Sequence, residues 1–344
     1  MASKLKSHYP WISTPLISSA PMGGFAGADL AVAVSQAGGV GFIGTVIDMG
    51  FLDAELTSAA SVLTTTSNNT LPIGVGFLLF AAKLHEASPI IAHHKPAIIW
   101  LACPQATEDF VTWTNVIRHC SPSSRIWCQV ASVAVAMELA EKCSPDVLVM
   151  QGADAGGHGP CPGAGIVSLV PETRDALDAA GHEDVILLAA GGISDGRGVA
   201  AALACGAEGA VMGTCFLASE EIVLPVAEFR QSILAAKDGG TQTARGTIFD
   251  ELKGPNIWPA GYDGRAIAGA SYTDFKNGVA IEELRKRNAA AMSEGHKGFG
   301  GDIRAALWAG TGVGLVNEVK SAKDIVEEVR RTARKSHERM VSLL

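Results

Sequence analysis

The feature that most constrains this 344-residue chain is a rhythm: short apolar runs that end in glycine or another small residue alternate with amphipathic stretches. The runs predicted as strands are Pro15–Ala20, Val40–Gly44, Pro72–Phe77, Ala97–Leu101, Arg125–Val130, Asp146–Gln151, Val185–Ala190 and Gly209–Gly213. They lack the polar alternation of a half-exposed sheet, so they should lie parallel and be covered on both faces. Between them Ala26–Gln36, Asp53–Leu63, Phe80–His93, Thr107–His119, Val133–Lys142, Glu172–Ala180 and Gly198–Cys205 read as helices, the first stopped by Gly38-Gly39. Eight strand-then-helix units in about 220 residues predict an α/β fold, a (β/α)₈ TIM barrel. The alternative, a doubly wound open sheet, generally has fewer strands and carries its nucleotide turn after the first of them.

The rhythm stops near Glu221. Helices expected near Val223–Ala236 and Ile281–Met292 enclose a long stretch containing Gly254-Pro255-Asn256-Ile257-Trp258-Pro259 and Gly261-Tyr262-Asp263-Gly264. So long a connection is either functional or misassigned. The domain reading is therefore a barrel over residues 1–222, completed by residues 311–344 with a closing helix at Ala322–Val341. Residues 223–310 form a small, mainly helical second domain over the C-terminal side of the barrel. Trp258, Tyr262 and Tyr272 are candidates to line a pocket there, although packing of the small domain explains them about as well.

Composition narrows the function. Hydrophobic residues make up 48% of the chain and charged residues 18%, which excludes disorder. A net charge of −8 with no long Lys/Arg block gives no reason to bind nucleic acid. The mixed charges between Lys320 and Arg339 predict a solvated helix face. No apolar run reaches the ~20 residues of a membrane helix, and the first residues lack an apolar signal core. A cytoplasmic protein is expected, with Ser342-Leu343-Leu344 only faintly resembling a peroxisomal Ser-Lys-Leu address. Seven cysteines without a C-x-x-C pair point to reduced thiols and away from disulfides or a zinc ribbon. The assembly is open between a monomer and a homodimer.

Barrel active sites gather at the C-terminal ends of the strands, and the unusual motifs of this chain fall there. Ala20-Pro21-Met22-Gly23-Gly24 follows the first run; Pro fixes the turn and the glycines let a flat ligand approach, although an ordinary turn would look similar. Gln151-Gly152-Ala153-Asp154-Ala155-Gly156-Gly157-His158-Gly159 follows the sixth. A lone histidine is usually structural, but this one is flanked by glycines in an expected loop that leaves its ring accessible, and imidazole titrates near neutral pH. His158 is the catalytic candidate. Ala190-Gly191-Gly192-Ile193 and Gly213-Thr214 follow the last two runs and lead into short helices, where free N–H groups favour a phosphate. Gly196-Arg197-Gly198-Val199-Ala200-Ala201 fits a dinucleotide fingerprint but begins too far from its strand, so it reads as a helix start. His93-His94 reads as a helix end without further ligands for a metal. Cys103, Cys161 and Cys215 lie beyond strand ends, with buried packing the preferred reading.

Together these motifs resemble the nitronate monooxygenase family of FMN-dependent barrels, and Leu307-Trp308-Ala309-Gly310-Thr311-Gly312 resembles its C-terminal signature. The resemblance implies FMN across the barrel mouth. Met22 and Gly23 would approach the ring from one side, Gln151, Gly156 and Gly157 would contact it from the sixth strand, and Gln129 would serve its N1/O2 edge. Gly191, Gly192, Gly213 and Thr214 would hold the phosphate. Many relatives carry Asn in a Gly-Val-Asn pattern on the third strand, where this chain has Gly74-Val75-Gly76-Phe77. The implied reaction is oxidation of alkyl nitronates, or of nitroalkanes with His158 as base, by O₂ to carbonyl compounds and nitrite, without a metal. Two alternatives stay open from the residues alone. One is an NAD(P)H-dependent flavin reductase acting on a quinone or an enoyl thioester; the other is a flavin-free lyase or isomerase of phosphorylated sugars.

Overall fold

A computed structural model describes residues 2–44, 48–293 and 298–343. All eight apolar runs become strands: β1 (Leu16–Ser19), β2 (Phe42–Gly44), β3 (Leu71–Leu78), β4 (Pro96–Ala102), β5 (Arg125–Val130), β6 (Val147–Gln151) and, after an extra strand β7 (Gly157–Pro160), β8 (Ile186–Ala190) and β9 (Gly209–Met212). The sheet order is β1-β9-β8-β6-β5-β4-β3-β2, parallel throughout. An isolated parallel bridge between Ser18 and Val40 brings the two ends together. Val40 N–H donates to Ile17 O at 3.0 Å and Ser19 N–H to Val40 O at 3.1 Å. The expected barrel is present.

The helices are α1 (Ala2–His8), α2 (Ala28–Gln36), α3 (Met49–Val62), α4 (Leu84–His94), α5 (Thr107–Cys120), α6 (Val133–Cys143), α7 (Ile166–Ala179) and α8 (Gly196–Ala204), then α9 (Ala227–Ala235), α10 (Gly239–Gln242), α11 (Ile248–Glu251), α12 (Ala270–Lys276), α13 (Ile281–Ser293) and α14 (Ala322–Leu343). Among the described residues no helix is long and apolar enough to cross a membrane. The terminal Ser342-Leu343-Leu344 ends on Leu344, which lies outside the described residues.

Strand alternation builds two cores. Residues such as Ile73, Val75, Ile99, Leu101, Leu148 and Leu187 face outward and pack beneath the helices. Their neighbours Leu16, Phe42, Trp100, Trp127, Val149 and Leu188 fill the interior, so the barrel is packed and not a pore. Leu5, Tyr9 and Ile12, from α1 and the turn after it, join this interior cluster, and Trp127 Nε1–H donates to Tyr9 Oη at 2.6 Å.

The C-terminal helix departs from the expected solvated face on one side. Ile325, Val326, Val329 and Ala333 are buried against α8 and α2. Arg330 is buried with them and donates to Ala37 O and Gly38 O, at 3.2 and 3.0 Å. The charge alternation hid a stripe of period 3.6 that docks the helix on the barrel.

The segment after Glu221 carries the expected helices and also two unpredicted strands, β10 (Thr243–Gly246) and β11 (Tyr262–Ile267). These join β7 in a three-stranded antiparallel sheet, β10-β11-β7. Ile248, Phe249, Leu252, Ala266, Leu284 and Ala306 form the small core behind it.

Candidate active site

A large cavity opens at the C-terminal ends of the barrel strands, about 1420 Å³ with its open mouth included. The residues named from the sequence converge here. Met22, Gly23, Gln129, Gln151, Gly156, Gly157, His158, Gly191, Gly192, Gly213 and Thr214 all line the cavity.

Each is placed by local structure. In the turn after β1, Met22 O accepts from Phe25 N–H at 3.0 Å and Ala26 N–H at 2.9 Å, which folds the segment back over the mouth. Gln129 and Gln151 end neighbouring strands β5 and β6. Gln129 Nε2 donates to Gln151 Oε1 at 2.9 Å, and Gln151 Nε2 donates to His158 O at 2.9 Å. The two amides thus form an oriented chain along the cavity floor. Gly191 and Gly192 take φ of 111° and 72°, conformations that L side chains rarely adopt. A Cβ on Gly191 would lie 2.8 Å from Gly152 O and 3.0 Å from Ala155 N. Gly76 lies on the cavity wall against Pro21, so β3 offers no side-chain amide at this position.

Three details differ from expectation. His158 is not in a loop: it lies on β7, opposite Gly264 of β11. Nor is its ring widely accessible. The His158 side chain is 12% exposed, stacked on Trp258 (centroids 3.5 Å apart, planes at 11°) and flanked by Trp308 (4.4 Å, 56°). Alternating glycines had suggested a flexible loop, but here they allow the close approach: a side chain at Gly264 would run into the Trp308 ring. Finally, the first turn of α8 is already capped, because Asp195 accepts from Arg197 N–H at 2.9 Å and Gly198 N–H at 3.2 Å. Two of the first-turn N–H groups of α8 are therefore already taken. The fingerprint-like Gly196–Ala201 is the start of α8, as expected.

Sequence reasoning missed Asp250, whose Oδ1 lies 2.8 Å from His158 Nε2. It also missed Arg245 and Arg265, paired across β10 and β11. Arg265 donates twice to Ala153 O, at 3.2 and 3.1 Å, and Arg245 donates to Gly159 O at 2.9 Å and pairs with Asp263. Burial, and then the Arg245 guanidinium beside it, lower the Arg265 pKa. The two side chains fasten β10 and β11 to Ala153 and Gly159, on either side of His158 in the chain. Only strand pairing brings these residues together, so no local motif marks them.

Of the three aromatic candidates, Trp258 reaches the cavity and also meets Phe80 at 4.9 Å. Tyr262 packs on the barrel interior cluster, and Tyr272 stacks on Phe249 within the small core. Of the cysteines, Cys103 lines the cavity, and burial pushes its thiol up to about 12. Cys215 is buried and Cys161 exposed. Among the described residues no three His, Cys, Asp or Glu side chains group as a metal site.

Comparison with known proteins gives the family and the fold. The nitronate monooxygenase family model matches residues 107–331. The nitronate monooxygenase npaC of Metarhizium robertsii is 40% identical over 96% of this chain and 94% of its own length. A nitronate monooxygenase of Neurospora crassa is 39% identical over 96% and 92%. Among solved structures, FabK from Thermotoga maritima superposes with a TM-score of 0.76 at 22% identity, covering 99% of both chains. Nitroalkane oxidase from Streptomyces ansochromogenes gives 0.72 at 20%, covering 98% of this chain and 99% of its own. The two structural likenesses speak for the barrel. The family match and the two full-length relatives speak for more: this chain belongs to the nitronate monooxygenase family.

Proposed function

We propose that this protein binds FMN at the barrel mouth and oxidises alkyl nitronates with O₂ to carbonyl compounds and nitrite, accepting nitroalkanes after His158 removes their α-proton. The observation that carries the reading is His158 in a cavity whose floor is an ordered chain of amides and whose rim is a glycine turn, in a chain of this family. The residues present suit FMN. Met22 and Gly23 offer a wall for the ring, and Gln129, Gln151, Gly156 and Gly157 would meet its polar edge. The Gly191–Gly192 turn with Gly213 and Thr214 would hold the phosphate, because consecutive N–H groups in such turns form a concave anion site.

Bound FMN would supply the electron transfer between nitronate and O₂. The chain does the rest. His158 hydrogen-bonds the nitro oxygens or takes the α-proton. Trp258 and Trp308 flank the imidazole and keep bulk water from its faces. Residues 223–310 act as a lid domain over a barrel of residues 1–222 and 311–344.

Reconstitution with FMN, followed by assay of nitrite release and O₂ uptake with propyl-2-nitronate, tests the proposal. Both should rise together; NADH-driven reduction of a quinone without nitrite release would replace it with a reductase. A second test concerns the cradle. Gly191→Ala forces a side chain into a backbone conformation costing about 1–3 kcal/mol. FMN affinity should fall about 5–150-fold by that conversion, read by flavin fluorescence titration. An unchanged affinity would place the phosphate elsewhere.

A further inference from the structure

We infer that Asp250 is the positioning residue of this site: it holds His158 with its proton on Nε2, so that Nδ1 is the nitrogen that receives the substrate proton. The inference rests on the proposed function and assigns a partner and an atom within it.

Asp250 sits on α11, a turn of the small domain far from His158 in sequence. Both side chains are 12% exposed. Its Oδ1 lies 2.8 Å from His158 Nε2, while its Oδ2 is buried without a hydrogen-bond partner among the described residues. A carboxylate kept for structure is normally met by an arginine, a lysine or several N–H groups, and leaving buried acceptor capacity unmet is costly. Here the partner is the cavity histidine.

An ionised carboxylate only accepts, so the proton in this contact belongs to Nε2. Neutral imidazole protonated on Nε2 carries its lone pair on Nδ1. Nδ1 makes no hydrogen bond to any described residue. Trp258 stacks on one face of the ring and Trp308 packs tilted against it, and Asp250 occupies Nε2, so Nδ1 is the ring nitrogen left for a substrate. With a nitroalkane, the α C–H bond breaks and its electron pair becomes the C=N bond of the nitronate. The proton passes to Nδ1. The resulting imidazolium still donates from Nε2 to Asp250, whose negative charge offsets the new positive one. A nitronate lacks that proton and needs no such step.

The test uses the FMN-reconstituted protein labelled with ¹⁵N-histidine, the His158 ring signals being identified by their loss in His158→Asn. The wild type should show Nε2 protonated and Nδ1 bare. In Asp250→Asn the proton should redistribute between the nitrogens. The kcat for nitroethane should then fall at least ~30-fold, and at least ~10-fold more than the kcat for propyl-2-nitronate, within the range a positioned base contributes. Asp250→Glu, which keeps the carboxylate, should recover part of the nitroethane rate. A wild-type ring protonated on Nδ1, or equal losses on both substrates with an unchanged ring spectrum, would overturn the assignment. If the wild type oxidises neither compound, the proposed function fails, while the ring signals still decide whether Asp250 sets the proton position.

Discussion

His158→Asn is expected to slow nitroalkane oxidation by about 10²–10⁴-fold, the usual contribution of a positioned general base. Oxidation of the preformed nitronate should suffer much less. Asparagine can still donate a hydrogen bond to a nitro oxygen, but it cannot take a proton near neutral pH. The split between the two substrates is the diagnostic quantity. Steady-state kcat/KM values for nitroethane and ethyl nitronate measure it directly. An equal loss on both would mean that His158 binds substrate and removes no proton.

The largest effect on stability should come from Trp127→Ala, at about 3–5 kcal/mol. Trp127 is fully buried inside the barrel. Its ring meets Tyr9 edge-on at 5.8 Å, Phe42 at 5.2 Å and Trp100 at 5.9 Å, and its N–H is satisfied by Tyr9. Truncation leaves a cavity and also removes the Tyr9 partner at the barrel floor. Urea unfolding followed by far-UV circular dichroism should show a lowered midpoint at similar slope. A cost below about 1 kcal/mol would mean that the interior collapses to fill the space, contrary to the rigid packing described.

The barrel was legible in the sequence for a physical reason. Parallel strands covered on both faces must be continuous apolar runs, and Ile98–Leu101 or Leu148–Met150 admit no other placement. The cavity-lining glycines and His158 were legible because strand ends are where a barrel gathers its site. The extra sheet was not. Gly157–Pro160 carries no apolar alternation, so only pairing with β11 makes it a strand. Asp250 and the Arg245–Arg265 clamp were hidden for the same reason: their meaning lies in contacts across the fold. Arg330 shows the converse, a charge that reads as solvated but caps buried carbonyls.

The central claim, a flavin site that oxidises nitronates, is met most directly by anaerobic titration of the FMN-reconstituted protein with propyl-2-nitronate while the visible spectrum is followed. The account predicts that nitronate alone alters the flavin bands, and that admitting O₂ restores them with release of nitrite. A flavin spectrum indifferent to nitronate but bleached by NADH or NADPH would contradict it, as would a protein that takes up no FMN.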